Sequence, residues 1–154
     1  MIITTAVTGN EPNSDSHDPA QALSRFYAAL NARDLKAMQT NWSSDAEAAM
    51  DNPLGGIRRG WTEIGPTYEK LFASEGTFHF EFYDYSEHQT ADVFFVIGRE
   101  RGWLQGRERL ELAIRTSRIF RRETSTWKQF HHHGSIERPP MLAAYQTAVL
   151  GKTQ

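Results

Sequence analysis

TFHFEFYDY, residues 77–85, alternates cleanly. Phe78, Phe80 and Phe82 fall on one side of an extended chain, with His79, Glu81 and Tyr83 on the other. Successive side chains of a strand point to opposite faces, so this spacing predicts a strand with one apolar face. Downstream, DVFFVIGRER (92–101) is apolar on both faces, as expected of a strand covered on both sides. ERLELAIRTSRIFRRE (108–123) is long and alternating, and TWKQFHHHGSI (126–136) is the last strand. The connections over 86–91, 102–107 and 123–126 are short, which predicts antiparallel neighbours.

Upstream the period changes. In DPAQALSRFYAALNARD (18–34), Asp18 can cap a helix, Pro19 suits its first turn, and Gln21 stands three residues after the cap. Leu23, Phe26, Tyr27 and Leu30 then share one helical face. Asp34 can cap a short second helix with Leu35, Met38 and Trp42 inward. AEAAMDNPLGG (46–56) reads as a short strand entering a turn at Pro53, Gly55 and Gly56. A third helix is predicted over about 60–74, with Trp61, Ile64, Tyr68, Leu71 and Phe72 inward and its first turn bent or detached by Pro66. PPMLAAYQTAVL (139–150) fits a terminal helix. The expected class is α+β: a cone of three N-terminal helices packed on a strongly curved antiparallel sheet, with a short C-terminal helix. Residues 1–17 are polar and read as a flexible leader, and residues 18–150 as one domain.

Composition narrows the functions. Lys and Arg total 17 against 19 Asp and Glu, a net charge of −2, so no field favours nucleic acid or an anionic membrane. The arginines of the strands alternate with glutamates, as on solvated faces. There is no cysteine, which excludes disulfides, thiolate nucleophiles and zinc–thiolate centres and fits a reducing, cytoplasmic setting. The first residues lack a basic segment followed by a long apolar run, so neither a secretory signal nor a membrane span is expected.

The triplet His131–His133 is resolved by the same alternation. Trp127, Gln129, His131, His133 and Ser135 are expected on one face, and Lys128, Phe130, His132, Gly134 and Ile136 on the other. His131 and His133 thus form a pair that excludes His132. On the preceding strand Arg118 interrupts the stripe Leu112, Ile114, Thr116, Phe120. It either snorkels to water or is a fixed cation, and if buried it needs a carboxylate from a ligand or from the chain. With Glu137 the pair reads His-x-His-x3-Glu, a metal-ligand spacing similar to the first cupin motif. Ser125 and Ala144 replace the cupin glycines, and no metal is assigned.

On these residues the chain is identified as a member of the nuclear-transport-factor-2-like superfamily, over roughly residues 18–136. SRIFRRETSTWKQFHHHGS (117–135) resembles the end of the calcium/calmodulin-dependent kinase association domain, an arginine on one strand followed by Trp-x3-His-x-His-x-Ser on the next. Here these are Arg118, Trp127, His131, His133 and Ser135. SnoaL-like bacterial proteins share the ending. Ketosteroid isomerases of the superfamily carry a catalytic aspartate just before a proline; in DNPLG (51–55) Asn52 holds that position, and an amide cannot abstract a proton. Tyr27 resembles their tyrosine donor.

The resemblance implies a small-molecule-binding protein of the SnoaL-like type acting without a cofactor on a hydrophobic or carboxylate-bearing substrate, by isomerisation, cyclisation or dehydration. His131 or His133 would be the base, with Asp51 or Asp84 orienting it, since an imidazole with a pKa near ~6.5 suits proton transfer at neutral pH. Arg118, Tyr27, Trp42, Met50, Asn52, Trp61, Tyr68 and Phe72 would line the pocket. The alternative is a non-enzymatic association or sensing module. In both cases a homodimer built on the sheet face away from the helices is expected, because the two-sided apolar strand needs a cover.

Overall fold

The computed structural model describes residues 1–151 and has the expected α+β architecture. In chain order the elements are α1 (Pro19–Ala32), α2 (Leu35–Asn41), β1 (Ala49–Asp51), β2 (Arg58–Arg59), α3 (Gly60–Phe72), β3 (Thr77–Gln89), β4 (Val93–Gln105), β5 (Arg109–Glu123), β6 (Thr126–Ser135) and α4 (Pro139–Leu150). The six strands form one sheet in the order β2-β1-β6-β5-β4-β3. β3 to β6 are antiparallel, but β1 runs parallel to β6, a connection the sequence reading had not placed.

The helix signals work as local chemistry predicts. The Asp18 side chain accepts from Ala20 N at 2.9 Å, and Asp34 accepts from Ala37 N at 2.9 Å. Gln21 does not close a capping box; its amide reaches Pro12 O instead, at 3.4 Å. At the end of α1, Arg33 takes a left-handed turn at φ 53°. Its guanidinium donates to Phe72 O, Ser74 O and Gly76 O, tying α1 to the end of α3. α3 runs through Pro66 without a break, so its first turn is not detached. Gly65 precedes the proline and has no Cβ for the pyrrolidine ring to strike, so the helical conformation stays open to it.

Phe78, Phe80 and Phe82 are buried, as the alternation requires, and pack beneath α1 and α3 with Phe26, Tyr27 and Tyr68. Along β5 the whole stripe Leu112, Ile114, Thr116, Arg118 and Phe120 turns inward. Two bulges curve the sheet. One lies between Tyr83 and Ser86, where Asp84 has φ 48° and Tyr85 turns inward. The other lies opposite Ile119 and Phe120.

The leader expected to be mobile is laid against the domain. Ile3 and Val7 each exchange two backbone hydrogen bonds with β3, to Tyr85 and Phe82, at 2.7–3.0 Å. Gly9, at φ 92°, rests on α1 so closely that a Cβ would stand 2.3 Å from Ala28 N. Polar composition concealed this because many of the contacts are made by the backbone and by polar side chains such as Glu11, which accepts from Ser24 Oγ, and only Val7 is a buried apolar side chain there.

Candidate functional site

The second bulge decides which histidine faces the core. Ile119 pairs with His131 and Phe120 with Gln129, so Phe130 is an extra residue without a cross-strand partner. Phe130 and His131 consecutively point outward, Phe130 beneath the Arg121 guanidinium at 4.2 Å. Beyond the bulge the alternation resumes with opposite sign. His131 and His133 share a face and His132 does not, as expected, but theirs is the outer face, away from Trp127 and Gln129. His132 is the one that joins the interior.

Outside, β1 brings Asp51 alongside the pair. Asp51 and His133 are register partners, with Asp51 Oδ2 2.7 Å from His133 Nδ1 and Asp51 Oδ1 3.5 Å from His131 Nε2. The three side chains are about one-third to one-half exposed. Glu137 turns away to Arg115 at 3.1 Å. Among the described residues no group of three or more His, Cys, Asp and Glu is arranged to hold a metal ion. Asp84, the other proposed orienter, pairs with Arg99 at 3.2 Å.

Inside, Arg118 is 1% exposed and paired within the chain. It donates to Glu100 Oε2 at 3.0 Å, to Gln129 Oε1 at 2.7 Å and to the Tyr27 hydroxyl at 3.4 Å. Tyr27 donates to Glu100 at 2.6 Å. The guanidinium carbon lies 3.7 Å from the centre of the Phe26 ring, within cation–π range. Burial works against the charge on Arg118, but Tyr27 and Glu100 outweigh it and hold its pKa above the ordinary value. Burial also raises Tyr27 well above the usual phenol, against the opposing pull of Arg118. Tyr68 is pushed up to about 12 by burial, again against Arg118.

Glu100 and His132 were not foreseen. Glu100 follows from alternation, since it shares parity with Phe94, Val96 and Leu104 and is the acid on the buried side of β4. His132 required the bulge. It pairs across the sheet with Arg118, and neither ring nitrogen has a hydrogen-bond partner. Burial first, then the positive field of Arg118, drives its pKa well below 6.5, so at neutral pH it is an uncharged imidazole. Thr116 Oγ1, Arg118 Nε and Gln129 Nε2 are also buried without partners.

Beside this cluster lies a cavity of about 30 Å³, whose walls include Asn52, Tyr68, Glu100, Arg118, His132 and Tyr145. Of the residues expected to line a pocket, Asn52, Tyr68 and Arg118 reach it. Tyr27 stands behind as a partner of Glu100. Trp42, Trp61 and Phe72 ring Tyr68, with centroids 5.9–6.5 Å away, and Met50 is buried beside the amide of Asn52. Asn52 closes the turn after β1, its Oδ1 accepting from Leu54 N at 3.1 Å.

An α+β cone with a polar cluster sealed between helices and a curved sheet defines the class of the protein, and the comparisons agree with it. The SnoaL-like domain model matches residues 20–139, and the chain belongs to that family. Among solved structures it is similar to a Thiobacillus denitrificans protein described as a calcium/calmodulin-dependent protein kinase type II association domain. That likeness has 29% identity and a TM-score of 0.70, over 83% of this chain and all of the other. A Streptomyces avermitilis protein described as a dehydratase of the NTF2-like family has 21% identity and a TM-score of 0.73, over 83% and 99%. A Shewanella frigidimarina protein described as a ketosteroid isomerase has 16% identity and a TM-score of 0.66, over 79% and 96%. No curated protein matches the chain. Among the described residues no helix is long and apolar enough to cross a membrane.

Proposed function

We propose that the interior cluster binds a small hydrophobic molecule and performs cofactor-free acid–base chemistry on it, an isomerisation, cyclisation or dehydration. The observation that carries this reading is His132, whose two ring nitrogens are buried, unpartnered and set beside a cavity. An unsatisfied buried polar group costs about 1–3 kcal/mol, and native cores carry few of them without a use. A neutral imidazole can give a hydrogen bond to a ligand oxygen or accept one from a ligand hydroxyl, and the Arg118 guanidinium in the same wall can stabilise a developing oxyanion. Because Glu100 already neutralises Arg118, the site favours an uncharged ligand over a carboxylate, which would have to displace Glu100.

The test is His132→Leu. Removing an orphaned polar ring should raise stability by about 1–3 kcal/mol while abolishing ligand response in a thermal-shift screen of small neutral cyclic ketones and alcohols. The acid side gives a second readout. Below pH 6.5 the unfolded imidazole binds a proton that the folded one refuses. The unfolded state then holds more protons, so stability falls with falling pH, by up to about 1.4 kcal/mol per unit, until the folded pKa is reached. The leucine variant should lack that slope. The outer trio of Asp51, His131 and His133 is the competing acid–base set. If it carries the chemistry, Asp51→Asn removes any activity found and His132→Leu spares it.

A second reading, association through a homodimer, is supported by the outer face of β4. Ile97 is 54% exposed there, beside the outward Phe95. The likeness to the Thiobacillus denitrificans association domain supports it as well. Light scattering at micromolar concentration should then give twice the 17.6 kDa chain mass; a monomer would remove this reading. The absence of cysteine fits a cytoplasmic place for either role.

A further inference from the structure

One wall of the interior cavity is a side chain of α4. Tyr145 is the one buried residue of that twelve-residue helix, 4% exposed, and it forms part of the cavity wall with Asn52, Tyr68, Glu100, Arg118 and His132. By contrast α1, of fourteen residues, buries nine.

The remaining ties of α4 are lighter: Met141, Leu142 and Val149 pack on the core but are only partly buried. Gln146 Nε2 donates to Pro53 O at 3.0 Å, and the Ala113 N–H meets Met141 Sδ at 3.4 Å. The Glu137–Arg115 pair just before the helix is more than half exposed on both sides, and such pairs add little. No side chain caps the helix at its start. Elements with few buried side chains open at low free-energy cost.

We propose that α4 is a gate, and that the ligand is a neutral, planar ring carrying one hydroxyl or carbonyl oxygen, which takes the place of the Tyr145 side chain when α4 withdraws. This rests on the interior-site reading. The cavity of about 30 Å³ holds no more than one or two waters, so a ring can enter only where a ring leaves. Glu100 and Arg118 cancel within the wall, and the orphaned ring nitrogens of His132 in the same wall await an uncharged polar group. Tyr145 itself meets these requirements. Burial raises its pKa and the nearby Glu100 raises it further, so it is a neutral phenol.

The experiment is hydrogen–deuterium exchange on the full wild-type chain, with and without saturating p-cresol, the free counterpart of the tyrosine side chain. Expected is slower exchange in β5 and β6 around Arg118 and His132. Over residues 139–150 exchange should be faster, by roughly tenfold, because the ligand holds α4 away. Ordinary binding slows exchange everywhere it acts, so this opposite sign is specific to displacement. Slower or unchanged exchange in α4, with the strands protected, overturns the gate and leaves the interior site standing. Strand protection that persists in His132→Leu overturns the interior-site reading. No response anywhere in the wild type overturns both.

Discussion

Arg118→Ala will lower stability by about 3–5 kcal/mol, because it leaves Glu100 buried without its counter-ion. For a domain of this size that is a drop in melting temperature of about 10 °C or more. The guanidinium is the hub of the interior, since Glu100, Gln129, Tyr27 and the face of Phe26 all converge on it. The size of the effect comes from the stranded carboxylate rather than from the intrinsic strength of the pair, since desolvating two ions consumes most of their attraction. A double variant, Arg118→Met with Glu100→Leu, should therefore recover much of the loss. Chemical denaturation of the three proteins checks this. A double variant no better than Arg118→Ala would show that the pair stabilises the fold by itself.

Deleting Phe130 will cost little beyond the contacts of its ring, about 1 kcal/mol, although it removes a whole residue from the sheet. Phe130 is the extra residue of β6. Without it Gln129 and His131 become neighbours, and they already point to opposite faces. The ladder then closes with Gln129 and His132 still inward and His131 and His133 still outward. Phe130→Ala keeps the extra residue and loses the contact with Arg121 and the partial packing on the core, so it should cost about the same. Circular dichroism melts of the two variants separate a need for the position from a need for the ring. A loss above about 4 kcal/mol in the deletion alone would mean that the fold needs the curvature of the bulge.

That bulge also marks where the sequence stopped being legible. The helices, the antiparallel succession of β3 to β6 and the inward stripe of β5 follow from apolar spacing and capping residues, and each was readable. Arg118 stood out because a charge within an apolar stripe breaks the period. Its partner Glu100 was equally readable, but the flanking Arg99 and Arg101 made the segment resemble a solvated face. The direction of the histidines was not readable, because one unpaired residue inverts every side chain beyond it, and a phenylalanine at that point carries no turn signature. The parallel docking of β1 on β6, which sets Asp51 between His131 and His133, is a long-range pairing with no local signal.

The first residues, bonded to β3 at Ile3 and Val7, bear on how the protein behaves in concentrated solution. β3 is the last strand of the sheet on its side, thirteen residues long and backed by phenylalanines. A bare strand of that kind is a template on which another chain can polymerise. The leader occupies part of its row of hydrogen-bonding groups, so residues that look expendable in the sequence act as a guard against fibre growth. Trimming them for convenience would leave the fold in place and make the protein sticky.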